Sequence, residues 1–141
     1  MNKLAIVYWS GTGNTEMMAQ CIAEGAKETG AEVSLLGPSE FSSGRLNEFD
    51  VVAFGCPAMG AEVLEESEFD PMFTELEGSL SSKKIALFGS YGWGDGQWMR
   101  DWCARCDSAD LYDEEGLIVN EAPDDDAKAT CRELGRKLAA W

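Results

Sequence analysis

Short, continuous apolar runs punctuate the chain at Leu4–Trp9, Val33–Leu36, Val51–Phe54, Ile85–Phe88 and Leu117–Val119. Runs of this length suit strands buried on both faces, as in a parallel sheet covered by helices. Between them the period changes. Met18, Ile22 and Ala26 recur every fourth residue and Gly30 supplies a stop; Phe69, Met72, Phe73, Leu76 and Leu80 share a second helical face. Trp98–Cys106 is predicted as a further helix, and Cys131, Leu134 and Leu138 mark a last one entered through Pro123 and Asp124. Ser39–Phe49 carries a weak signal, and the acids Asp113–Glu115 interrupt the approach to the last strand. With no repeat, linker or low-complexity tract, residues 1–141 are read as one domain. The predicted fold is α/β: a doubly wound three-layer sandwich on a five-stranded parallel sheet.

In such folds ligands sit beyond the carboxyl ends of the strands. That directs attention to three segments: Ser10–Thr15, Gly55–Glu66 and Gly89–Gly96. The first, Ser10-Gly11-Thr12-Gly13-Asn14-Thr15, joins a buried strand to a helix. Its glycines let backbone amides converge, its hydroxyls and amide add donors, and the following helix presents its positive end to an anion. No Gly-Lys-Ser/Thr ending follows, and Glu16 stands where a dinucleotide fingerprint wants glycine or alanine, so a monophosphate is the better fit. The same residues can also be read as a turn that merely caps the helix.

The segment Gly89-Ser90-Tyr91-Gly92-Trp93-Gly94-Asp95-Gly96 sets two aromatics among glycines, where neither helix nor strand is expected to continue. An exposed indole there is suited to stack on a planar ring, whereas Trp9 and Trp102 read as core or second-layer residues. In Pro57-Ala58-Met59-Gly60-Ala61-Glu62 a polarizable thioether precedes a glycine and a carboxylate. Methionine is also a common core filler.

Charge narrows the choice of partner. A formal net charge of -15 repels nucleic acid and anionic membranes and favours basic protein surfaces. The absence of histidine removes the usual general base and metal ligand, so neither acid–base catalysis nor a metal centre is expected. Five cysteines, an odd number and widely spread, fit a reducing cytoplasm; Leu4–Trp9 is too short for an export signal. Cys103-x-x-Cys106 has redox spacing but falls inside a predicted helix. A low-molecular-weight phosphatase would need a cysteine and an arginine bracketing one phosphate loop, and a receiver domain would need acids where Tyr8-Trp9-Ser10 stand.

Tyr8–Thr15, Gly55–Gly60 and Phe88–Gly94, with Ile118–Glu121 and the final helix, resemble the flavin mononucleotide (FMN) loops of short-chain flavodoxins from anaerobic bacteria. The resemblance spans nearly the whole chain and implies strand order 2-1-3-4-5. It implies that Ser10, Gly11, Thr12, Gly13, Asn14 and Thr15 hold the FMN phosphate, and that Met59 and Trp93 sandwich the ring. Pro57, Ala58, Gly60, Ala61, Glu62, Ser90, Tyr91, Gly92, Gly94 and Asn120 complete the expected site, Glu62 meeting flavin N3–H. The implied function is a low-potential one-electron carrier, not a self-standing catalyst, cycling mainly between semiquinone and hydroquinone. A backbone flip at Gly60 would set the first couple, and the acids from Glu62 to Asp70 would depress the second. Implied partners are ferredoxin- or flavodoxin-dependent oxidoreductases with basic docking surfaces, met by a monomer. Ala61 departs from the polar residue expected beside that glycine. A flavin enzyme such as a quinone or nitro reductase, and a regulatory module that has lost electron transfer, are the rival readings.

Overall fold

The computed structural model describes residues 1–141. In chain order the elements are β1 (Lys3–Tyr8), α1 (Asn14–Glu28), β2 (Glu32–Leu36), β3 (Val51–Gly55), α2 (Phe69–Glu77), β4 (Lys84–Tyr91), α3 (Gln97–Arg105), β5 (Asp110–Leu111), β6 (Leu117–Asn120) and α4 (Asp125–Ala140). All sheet pairings are parallel and the order is β2-β1-β3-β4-β5, with β6 also pairing β4. The predicted sheet order therefore holds, with one difference. The fifth position is filled by two short strands rather than one, because Asp113 and Gly116 close a turn through the Gly116 N–H and the Asp113 carbonyl, 3.1 Å apart, which lifts the chain off the sheet. Gly116 takes φ 72, open to glycine at no cost, and a Cβ there would lie 2.6 Å from Met99 Sδ.

Two apolar layers cover the sheet. One joins Ala5, Val7, Val52 and Phe54 to α2 and α3 through Phe69, Phe73, Trp98 and Trp102. The rings meet edge to face: Phe54 and Phe73 are 5.3 Å apart at 90°, Phe69 and Trp102 5.4 Å apart at 86°. The other joins Leu4, Ile6, Val51 and Ala53 to α1 and α4 through Met18, Ile22, Cys131 and Leu138. Alternate residues of the same strand feed opposite layers, which is why the strands read as unbroken apolar runs.

Three expectations need adjustment. Leu80 is buried but lies beyond α2, which ends before Gly78. The weak segment Ser39–Phe49 crosses over as two 3₁₀ turns, Pro38–Glu40 and Ser43–Glu48, too short for a helical period to show. Gly89, Ser90 and Tyr91 belong to β4 rather than to a loop, since they pair with Ile118, Val119 and Asn120 of β6. Glycine at position 89 is a steric requirement: a Cβ would stand 2.2 Å from the Cys56 carbonyl oxygen.

Where α1 crosses α4, Gly25 and Gly135 let the backbones touch. A Cβ at Gly135 would fall 1.9 Å from the Ile22 carbonyl oxygen, and one at Gly25 would fall 1.9 Å from that of Arg132. Ahead of α2, the buried carboxylate of Glu65 accepts hydrogen bonds from the Ser67 hydroxyl and from the amides of Ser67, Glu68 and Phe69, the last three at 2.8 Å. Burial pushes this carboxyl up, but those donors outweigh it and hold it at about 2.

Gly135→Ala is expected to cost about 2 kcal/mol by overpacking and to lower Tm by roughly 4 °C or more, while Gly78→Ala, with open space around it, leaves Tm within about 2 °C. Because the Glu65 carboxyl lies below its ordinary value of 4.5, its stabilisation is complete above that pH and is lost as pH falls toward about 2. Glu65→Gln is therefore expected to reduce the slope of stability against pH across this window, as read by urea denaturation at successive pH values.

Candidate functional site

Shared register brings three chain segments to one edge of the sheet. Tyr8 pairs with Gly55 and Gly55 with Phe88, so the chain leaves β1 and β3 at the same level while β4 runs past them to Tyr91. The segment after β3 continues this pairing for a few residues, the Cys56 amide donating to Phe88 O (3.1 Å) and the Ala58 amide to Ser90 O (3.0 Å). A cavity of about 250 Å³ lies between the segments, lined by Trp9, Gly11, Thr12, Asn14, Pro57, Ala58, Met59, Ser90, Tyr91, Gly92 and Glu121.

The phosphate-loop candidates divide by role. Ser10 Oγ accepts from the amides of Gly13 and Glu16, both 3.2 Å, so this hydroxyl ties the loop to the start of α1. Gly13 sits at φ 98, in the left-handed region, and turns the chain into the helix. Thr15 is buried and its Oγ1 meets Ser90 Oγ at 3.1 Å, joining the first and third segments. Thr12 and Asn14 line the cavity, and the amides of Thr12, Asn14 and Thr15 find no protein acceptor. Unpaired amides at a helix N-terminus favour an anion. The Ser10 hydroxyl thus caps the start of α1, while the amides of Thr12, Asn14 and Thr15 remain free.

The middle segment is a tight hairpin. The Glu62 amide donates to Met59 O (2.7 Å) and the Met59 amide to Val63 O (2.8 Å), with Met59 and Val63 bridged antiparallel. Neither Gly60 nor Ala61 has positive φ, whereas Glu62 does at 58. This is a type I turn closed by a left-handed residue. One oxygen of Glu62 accepts from the Trp98 amide at 3.3 Å; the other is buried and has no partner. Its neighbour is Gly94, where a Cβ would stand 1.5 Å from that oxygen. Gly94 therefore makes room for a carboxylate.

Trp93 is 77% exposed, as expected for a free stacking face, and Met59, Gly60 and Ala61 lie at or near the surface. Asn120 is placed differently from a ligand-facing group: its Nδ2 donates to Gly92 O (2.8 Å) and Tyr91 O (3.3 Å), holding the third segment to β6. Two cavity residues lay outside the predicted set. Trp9, half-buried and packed against the core, is also a wall of the cavity, lying over Gly11, where a Cβ would approach it to 3.0 Å. Glu121 lines the rim at φ 57. Adjacency to the loop and to Asn120 was the available signal for each. Trp102, by contrast, is core as predicted.

A larger concavity of about 880 Å³ lies between α3 and β5–β6. Its acids Asp107, Asp110, Glu114 and Glu115 disfavour a phosphate there. Burial pushes Cys103 to about 11 and Cys106 to about 12, so both are protonated, poorly nucleophilic thiols at neutral pH.

The flavodoxin family model matches residues 6–135. The chain is 50% identical to the flavodoxin of Clostridium beijerinckii over 137 residues, 96% of this chain and 99% of that protein. It is 46% identical to the flavodoxin of Megasphaera elsdenii over 134 residues, 95% and 96% of the two. The solution structure of two-electron reduced Megasphaera elsdenii flavodoxin matches with a TM-score of 0.88 at 44% identity, covering 98% of this chain and 99% of that one. By sequence and by fold, the chain belongs to the flavodoxin family of FMN-binding electron carriers.

Proposed function

We propose that residues 1–141 form a single flavodoxin-like domain that holds FMN in the cavity between the three segments and cycles mainly between its one- and two-electron-reduced levels at low potential. The observation that carries this reading is the set of free amides at Thr12, Asn14 and Thr15 beside the cavity, which suit a phosphate. The bound flavin supplies the two successive one-electron steps.

The protein supplies placement and potential. Ser10, Gly11, Gly13 and Thr15 shape the phosphate loop, with Thr12 and Asn14 at its face. Met59 and Trp93 cover the ring, and Pro57, Ala58, Ser90, Tyr91 and Gly92 form the cavity wall. Glu62 takes the N3 edge, Gly94 admits its carboxylate, and Asn120 steadies the third segment. Gly60 and Ala61 form the turn whose central carbonyl could be presented to the ring of a bound flavin.

That turn sets a steric test. Turning over the central peptide of this type I turn throws a positive φ onto Ala61, giving a type II turn; a positive φ at Gly60, in a type II′ turn, needs the peptide before Gly60 to turn as well. The methyl of Ala61 penalises the first route by roughly 1 kcal/mol, leaving Gly60 to take the strain-free one. The second electron adds negative charge beside Glu62, Glu65, Glu66, Glu68 and Asp70. Each unit charge at about 10 Å costs about 0.4 kcal/mol even in a water-like dielectric, so together they hold the second couple low.

The partners of this reading are oxidoreductases with basic surfaces, met by a monomer in the cytoplasm. The support is the net charge of -15 and a chain in which no helix is long and apolar enough to cross a membrane. Docking of this kind weakens with salt.

Titration of the apoprotein with FMN is expected to show one site by quenching of flavin fluorescence. Trp93→Ala should weaken it by about 2 kcal/mol, roughly thirty-fold in Kd; an unchanged Kd would remove Trp93 from the site. A Cβ at Gly60 meets nothing within 4 Å, so Gly60→Ala should fold normally. It should nevertheless lower the first potential by about 40 mV. Adding Ala61→Gly to that variant should restore the potential, since glycine then stands at the other turn position. Failure of the double variant to recover would show that the turn does not set the first couple.

A further inference from the structure

Glu62 is held from two directions by the segment that begins at Gly94. The Trp98 amide, in the first turn of α3, donates to its Oε2 at 3.3 Å, and Oε1 occupies the space that the missing side chain of Gly94 leaves. The Trp98 side chain acts on the same hairpin at its other end: the indole Nε1–H donates to the Cys56 carbonyl at 3.1 Å, inside the core. That carbonyl in turn packs on Gly89, where a Cβ would stand 2.2 Å away. One tryptophan thus fastens both the entry and the carboxylate of the segment 56–62. With φ 58 at Glu62, the backbone there is not held by its own preference, so external fastening decides where the carboxylate points.

We propose that Gly94 and the Trp98 amide position Glu62: they latch the second loop to the third and fix where the Glu62 carboxylate lies beside the ligand site. The proposal rests on the FMN reading of the cavity. Gly94 need not touch the cofactor for its loss to weaken binding. Its role is also separable from folding. Gly94 has no positive φ, and the atoms that an added methyl would meet are the far end of the flexible Glu62 side chain, at 1.5 and 2.2 Å. Gly94→Ala therefore displaces the carboxylate while sparing the backbone.

A double-mutant cycle on the FMN-loaded protein tests this, with FMN dissociation constants and both reduction potentials as readouts. Gly94→Ala and Glu62→Ala are each expected to weaken FMN binding roughly five-fold, the worth of about one hydrogen bond, and to move the second potential positive together. The combined variant should bind no worse than Glu62→Ala alone. The thermal midpoint of each apoprotein reports folding separately. Losses that multiply to roughly twenty-five-fold in the combined Gly94→Ala/Glu62→Ala variant would overturn the latch while leaving FMN binding intact. A wild-type chain that took up no FMN would overturn both the latch and the reading on which it rests.

Discussion

Tyr8, Gly55 and Phe88 lie side by side at the same level of three parallel strands, and β4 alone continues past that level. Every feature of the site follows from this register. It brings together three loops that are distant in sequence, and it sets β4 as the wall against which the other two are fastened. The fastenings are few and specific: Thr15 Oγ1 to Ser90 Oγ, the Cys56 and Ala58 amides to β4 carbonyls, and Trp98 Nε1 to the Cys56 carbonyl. A one-residue slip of β3 would break the contacts of Cys56 and Ala58 and send its apolar side chains to the wrong layer.

Backbone proximity and charge then divide the work. Gly89 and Gly94 are needed because a neighbour already occupies the place of a Cβ, a carbonyl in one case and a carboxylate in the other. Free amides at the first loop attract an anion, while the acids that follow Glu62 oppose further negative charge in the cavity. The same acidity, spread over a chain of net charge -15, suits brief contact with basic partners.

Much of this was legible in the sequence, for a physical reason. β1, β3 and β4 are buried on both faces and cannot carry a polar residue through their centres, so they stand out as apolar runs. β2, half exposed at the edge, is marked only by Val33, Leu35 and Leu36. β5 is two residues long and could not be seen at all. The loops were legible as chemistry because glycine, hydroxyl and aromatic residues crowd there without period. What composition could not assign was role: Ser10 caps, Asn120 clamps, Gly94 makes space, and Trp9 lines the cavity. Each depends on which atom lies opposite across the fold, which neither periodicity nor spacing encodes.

The central claim is that this arrangement separates two one-electron steps on a bound flavin. Stepwise anaerobic reduction of the FMN-loaded protein, followed by visible absorption at controlled potential, addresses it directly. The account predicts that the long-wavelength band of the neutral one-electron-reduced flavin accumulates at the first step and disappears only at a much lower potential. Passage of both electrons at one potential, with no such band, would contradict it.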